Sequence, residues 1–160
     1  QKLLVHSCGS HQVSVLATPG TVQRDYTRSL VAEFASDVNV RLVGAENLAV
    51  LAEEFMLTGT VDDAAVQAEI SDCFTDRLGA RTDVVVLACT HYPFLANVFR
   101  RLAPWPVDWL NPAEAIGRHA QSLLSHTGEV KEVQDMAEFT KGRPQANMLR
   151  LMSGFGLKVV

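Results

Sequence analysis

The sequence predicts an α/β fold, a Rossmann-like, mostly parallel sheet flanked by helices. Three observations carry that prediction. Four short apolar runs at 13–17, 40–43, 84–88 and 107–110 read as buried strands. Between them lie segments whose apolar residues recur three or four positions apart, the spacing of a helix with one buried face. Strand and helix take turns, and a return to a parallel neighbour requires a crossover helix.

The elements follow in order. Strand 13–17 is broken by Pro19-Gly20, and Thr21 is placed to cap a helix whose Val22, Tyr26, Leu30 and Phe34 recur every fourth position. Strand 40–43 turns at Gly44. The next helix buries Leu48, Leu51, Ala52 and Phe55 and ends near Gly59. Asp62 or Asp63 then opens a helix with Val66, Ile70, Cys73, Phe74 and Leu78 inward and Gly79 as its C-cap. Strand 84–88 is followed by a helix using Phe94, Leu95, Val98, Phe99 and Leu102. Strand 107–110 leads to a last helix from Pro112, with Ile116, Ala120, Leu123 and Leu124 on one face. The predicted order is βαβααβαβα, without internal repeats, low-complexity tracts or long linkers.

Composition narrows the function. With 160 residues, 48% hydrophobic and 20% charged, the chain can build one core and a small appendage. A net charge of −4, with basic residues single or paired as in Arg100-Arg101, does not make a nucleic-acid surface. No apolar run approaches the roughly 20 residues that span a bilayer, and Lys2, His6 and Cys8 interrupt any signal-peptide pattern at the start. Three cysteines, an odd number, fit a reducing compartment. The expectation is a cytoplasmic protein with neither a nucleic-acid nor a membrane partner.

The chemistry concentrates in Val84-Val85-Val86-Leu87-Ala88-Cys89-Thr90-His91-Tyr92-Pro93. A buried strand delivers a thiol and, two residues on, an imidazole into the turn before a helix. Strand carboxyl ends border the crevice where α/β sheets bind ligands, and the following helix supplies free N–H groups. A free thiol ionises near ~8.5, and a helix start or a nearby imidazolium lowers that value toward neutrality. Cys89 can then serve as nucleophile or base, although a free cysteine is commonly a small core residue. His91 can tune or relay the proton, or simply be a satisfied histidine. Thr90 offers a hydroxyl and an amide to a carboxylate, or only a cap.

Cys89-Thr90-His91-Tyr92-Pro93, preceded by Leu16-Ala17-Thr18-Pro19-Gly20-Thr21-Val22, resembles the glutamate racemases of the aspartate/glutamate racemase superfamily. The similarity continues through Phe139-Thr140 and Gly154-Phe155-Gly156 and covers most of the chain. It implies two similar α/β lobes enclosing glutamate, cofactor-independent racemisation by two opposed thiols, and a role in peptidoglycan supply. The cysteine matching Cys89 serves the L-glutamate face in that family, and the histidine matching His91 assists it. Thr90, Thr18 and Thr21 become substrate-binding residues by the same resemblance. Glu53 falls where many of these enzymes carry an acidic residue near the site, against the alternative of an exposed helix glutamate.

One departure qualifies the match. The family's Asp-Ser-Gly start and its Cys-Asn-Thr-Ala-Ser motif, which holds the first catalytic cysteine, are absent. Cys8 lies too close to strand 13–17 to take that part. The expectation is therefore a C-terminal portion of a racemase, catalytically incomplete alone, with residues 12–110 as one lobe and 111–160 as the segment that returns to the other. Residues 125–141 are polar and offer little core, so re-docking or exchange in a homodimer is left open. An aspartate racemase, another single-thiol carboxylate isomerase or lyase, and a non-catalytic binding or assembly module remain alternatives.

Other candidates carry less. Cys73 sits in a core stripe. His6, Cys8 and His11 form one short cluster without a second, which does not make a zinc site, so no metal is expected. His119 and His126 are expected to face solvent. No Gly-x-Gly-x-x-Gly or Gly-x-x-x-x-Gly-Lys pattern occurs, so no nucleotide cofactor is expected.

Overall fold

The computed structural model describes residues 9–124 and 134–160. Its strands are β1 (Gln12–Ala17), β2 (Asn39–Gly44), a short hairpin of β3 (Asp76–Arg77) and β4 (Ala80–Arg81), β5 (Val84–Leu87) and β6 (Asp108–Leu110). Four of them form one sheet in the order β2-β1-β5-β6, and every pairing in it is parallel. Leu16 stands opposite both Val43 and Leu87, and Val85 opposite Trp109. The chain steps from β1 outward to β2, then returns past β1 to β5 and on to β6. The order reverses between β1 and β5, which makes the carboxyl ends of those two strands the crevice where such sheets bind ligands.

The helices are α1 (Pro19–Val22), α2 (Asp25–Phe34), α3 (Leu48–Thr58), α4 (Asp63–Ile70), α5 (Ala96–Leu102) and α6 (Ala113–Leu123), with 3₁₀ turns at Ser71–Cys73 and Tyr92–Leu95. Side chains alternate across a strand, so Leu16, Val43, Val85 and Leu87 share one face of the sheet. They form the main core with Leu48 and Ala52 of α3, Val66 and Ile70 of α4, and Phe99 of α5. The opposite face is thinner, with Val13 and Val84 buried and Val38, Val86 and Leu110 partly so. The buried Ser14 hydroxyl donates to the Cys73 carbonyl at 2.7 Å, satisfying a polar group inside the main core.

Three expectations change. The helix read across 22–34 is two helices: Arg24, with ψ 131°, resets the phase between α1 and α2. The four-residue repeat from Val22 to Phe34 therefore lies on no single face, and no α2 residue is buried. The helix read through Leu78 ends at Ile70, and Leu78 and Gly79 instead turn the β3–β4 hairpin at φ 55° and 88°. Positive φ at both central residues suits a tight hairpin, and the Asp76 carboxylate accepts from the Gly79 amide at 2.9 Å. Finally, the apolar face of α6 meets no core among the described residues: Ile116, Leu123 and the following Leu124 are 63%, 71% and 69% exposed.

Residues 134–160 form a small parallel unit, β7 (Met136–Ala137), α7 (Ala146–Gly154) and β8 (Lys158–Val159). It is tied to the rest where the Asn147 side-chain amide donates to the Leu57 carbonyl of α3 at 2.9 Å. His6, Cys8, His126 and residues 125–133 lie outside the described residues. His119 is exposed, and Cys73 is buried in the main core.

Candidate active site

Cys89 and Thr18 each lie two residues beyond Leu87 and Leu16, the last pair of the β1–β5 ladder, so neighbouring strand ends carry both. The ladder continues part of the way, the Ala88 amide donating to the Leu16 carbonyl at 2.9 Å. The chain then coils tightly. The Tyr92 amide donates to the Cys89 carbonyl at 3.3 Å and the Phe94 amide to the His91 carbonyl at 3.2 Å. Pro93 suits the first turn of this 3₁₀ segment because its fixed φ is already helical and it lacks an N–H.

That turn folds His91 back beside the thiol. Cys89 Sγ lies 3.8 Å from His91 Nδ1, and His91 Nε2 lies 3.2 Å from Glu53 Oε1 on α3. An ionised carboxylate only accepts, so Glu53 favours the tautomer with hydrogen on Nε2 and leaves the Nδ1 lone pair facing the thiol. The imidazole can take the thiol proton there and remain paired to Glu53 as imidazolium. Cys89 is half-buried, and so is His91.

The threonines sit beside this line. Thr18, not Thr21, occupies the cap position of α1, and it makes no side-chain capping bond. Thr21 falls inside the first turn, because the helix begins at Pro19. The two hydroxyls lie 3.1 Å apart, and Thr27 Oγ1 donates to the Thr21 carbonyl at 2.7 Å. A Cβ added at Gly44 would come within 3.3 Å of Pro19 Cα, so glycine at the end of β2 lets α1 approach the sheet.

A cavity of about 690 Å³ opens on the other side of Cys89. Cys89, Thr90, Phe94, Asn111, Ile116 and Phe155 are among its lining residues, while Thr18, Thr21, His91 and Glu53 are not. The six site residues thus divide into the Cys89–His91–Glu53 line, the Thr18–Thr21 pair across the strand ends, and Thr90 at the cavity wall. Sequence reasoning missed Phe94, Asn111 and Phe155 as wall residues. The Gly154-Phe155-Gly156 match was the available signal for the last of these.

Behind the line stands Tyr92, fully buried, whose hydroxyl has no hydrogen-bond partner among the described residues. Burial pushes its ionisation well above the usual tyrosine value, and the neighbouring Cys89, Glu69 and Cys73 add to the shift. The same burial pushes the Cys73 thiol up to about 12, helped by Asp72, so Cys73 is no thiolate near neutrality. Among the described residues no three His, Cys, Asp or Glu side chains are grouped to hold a metal ion. Nor is any described helix long and apolar enough to cross a membrane.

A parallel lobe with a thiol at its switch point is the architecture of a cleft enzyme of the α/β class. No family model matches the chain. The chain is 62% identical over 149 residues to a glutamate racemase of Sinorhizobium medicae and 61% identical over 150 residues to that of Rhizobium meliloti, each match covering 92% of the chain. These matches cover 55% and 54% of the relatives, so the chain spans about half the length of the curated relatives it matches. A crystal structure of Escherichia coli glutamate racemase in complex with L-glutamate and the activator UDP-MurNAc-Ala superposes with a TM-score of 0.80 at 26% identity, covering 96% of the chain and 58% of that structure. The glutamate racemase isoform RacE1 of Bacillus anthracis shares the fold, with a TM-score of 0.70 at 17% identity over 99% of the chain and 60% of that structure. The chain carries part of the glutamate racemase sequence and fold, and the relatives it matches are amino-acid isomerases.

Proposed function

We propose that this chain supplies the Cys89 side of a cofactor-independent racemase interconverting L- and D-glutamate. The observation that carries the reading is the Cys89–His91–Glu53 line at the β1/β5 switch point. In the proposed reaction His91 holds the thiol proton and the Cys89 thiolate removes the Cα proton of L-glutamate. The electron pair stays on the substrate as a carbanion spread into its carboxylate. An acid on the opposite face returns a proton to Cα, giving D-glutamate. Thr90, Thr18 and Thr21 present hydroxyl and amide groups to the substrate carboxylates. The carbanion requires a closed, preorganised polar environment, because water would otherwise have to reorganise around the developing charge.

Among the described residues Cys89 is the one thiol at the crevice, since Cys73 is buried in the core. In this reading Cys89 performs one half of the proton exchange, and the acid for the D-glutamate face is not a second thiol among the described residues. D-glutamate for peptidoglycan is the product this reading assigns, made in the cytoplasm.

Exchange in heavy water tests it. Incubated with L-glutamate, the chain should exchange the Cα proton for deuterium without inversion, with D-glutamate inert and Cys89→Ala silent. Interconversion of both enantiomers would overturn the half-site reading. Silence with both would leave the racemase lobe without a working base and refute the role of Cys89.

A further inference from the structure

Gly154-Phe155-Gly156 is left without a function by the cleft chemistry, yet the fold spends specific geometry on it. Gly156, at φ 77°, ends α7 in a left-handed residue. Its amide donates to the Ser153 carbonyl at 2.9 Å, and the Leu157 amide donates to that of Met152 at 3.0 Å. This pair of reversed bonds is the glycine-terminated stop that only a residue free of a Cβ adopts without strain. Its consequence is to fix Phe155, the residue just before the glycine.

Phe155 is 61% exposed, so the core does not hold its ring and the contact that places it is a specific one. Its ring meets Phe94 edge to face, with centroids 6.2 Å apart and planes at 85°. Both rings line the 690 Å³ cavity with Cys89 and Thr90. Phe94 is also the residue whose amide holds the His91 carbonyl. A continuous set of contacts thus runs from the end of α7 through Phe94 to the turn carrying the thiol and imidazole.

We propose that Phe155 is a positioning residue for the Cys89 side of the cleft: by bracing Phe94 it fixes the 89–95 turn so that His91 stays between Glu53 and the thiol. The proposal rests on the thiol–imidazole reading above. It makes residues 134–160 an arm that sets the geometry of the reacting turn.

The test uses the whole chain and two readouts that a merely structural residue leaves unmoved. The first is the rate of Cys89 alkylation by iodoacetamide at pH 7, with the modified site assigned by peptide mass. The second is the pair of His91 ring ¹⁵N shifts, which report the tautomer. Phe155→Ala should slow alkylation about fivefold and move both ring shifts toward mixed-tautomer values, with the thermal midpoint nearly unchanged. Phe155→Tyr, which keeps the ring edge, should retain both wild-type readouts. His91→Ala separates the two readings, and it should slow alkylation at least as much. If His91→Ala slows alkylation while Phe155→Ala moves neither rate nor shifts, the brace is refuted and the thiol–imidazole pair stands. If His91→Ala leaves the rate unchanged, the pair falls and the brace with it.

Discussion

Two thiols in one lobe meet opposite fates, and their surroundings explain why. Cys73 closes α4 against the underside of the sheet, where its own carbonyl is already taken by Ser14 and its sulfur meets apolar neighbours. Cys89 leaves the sheet at the crevice and meets a nitrogen. Burial holds the proton on Cys73 from its ordinary value of 9.0 up to about 12. In the unfolded chain that thiol ionises as the pH passes 9.0, while in the folded chain it does not, so the folded state binds more protons between those limits. Stability should accordingly fall above pH 9 by about 1.4 kcal/mol per pH unit from Cys73 and be insensitive to this thiol below pH 9. Urea unfolding at pH 8 and pH 10 checks the slope. Cys73→Ala should start less stable and lose less between the two values, and equal losses in both proteins would refute the assignment.

At the level of elements, the stops and starts hold the site more than helix propensity does. α4 has eight residues, and such short helices are marginal without capping and packing. The Asp62 carboxylate accepts from the Ala64 and Ala65 amides at 2.9 and 3.4 Å, and Asp63 in the first turn pairs with Arg101 of α5 at 2.8 Å. The Arg101 guanidinium holds the Asp63 carboxyl below its ordinary value, although both groups are exposed and the pair contributes little. Asp62→Ala should therefore cost about 1 kcal/mol, read as a lower urea midpoint with an unchanged slope. Asp62→Asn should keep most of that.

The same start was legible in the sequence because a cap is a local device, and so were the four strands, whose apolar runs have no other use. The β3–β4 hairpin was hidden because Leu78 continued the helical spacing of Val66, Ile70 and Phe74, and only the Gly79 that follows betrays a turn. Cys89, His91 and Glu53 were legible as candidates. That Glu53 pairs with His91 was not, because the contact joins α3 to the turn after β5, 38 positions later in sequence.

For the whole molecule, the two faces of the sheet divide the chain into a packed half and an open one. On the packed face α3, α4 and α5 cover Leu16, Val43, Val85 and Leu87, and Leu95 of the reacting turn is fully buried among them. The turn is thus anchored from beneath by core packing while its upper side, with Cys89, Thr90 and Phe94, faces the cavity. The apolar face of α6 has a similar composition and Ile116 lines that cavity, yet Leu123 contributes nothing to the described core. Hydrophobic identity alone therefore does not set stability here; enclosure does, since the transfer gain scales with area removed from water. Leu95→Ala should lose about 3 kcal/mol and slow Cys89 alkylation together, because the cavity it leaves lies under the turn. Leu123→Ala should change stability by no more than about 0.5 kcal/mol. Equilibrium unfolding of the two variants decides the matter: comparable losses would mean that the α6 face is covered in solution, and a tenfold difference in unfolding constant or more would place the core of this lobe between the sheet and α3 to α5.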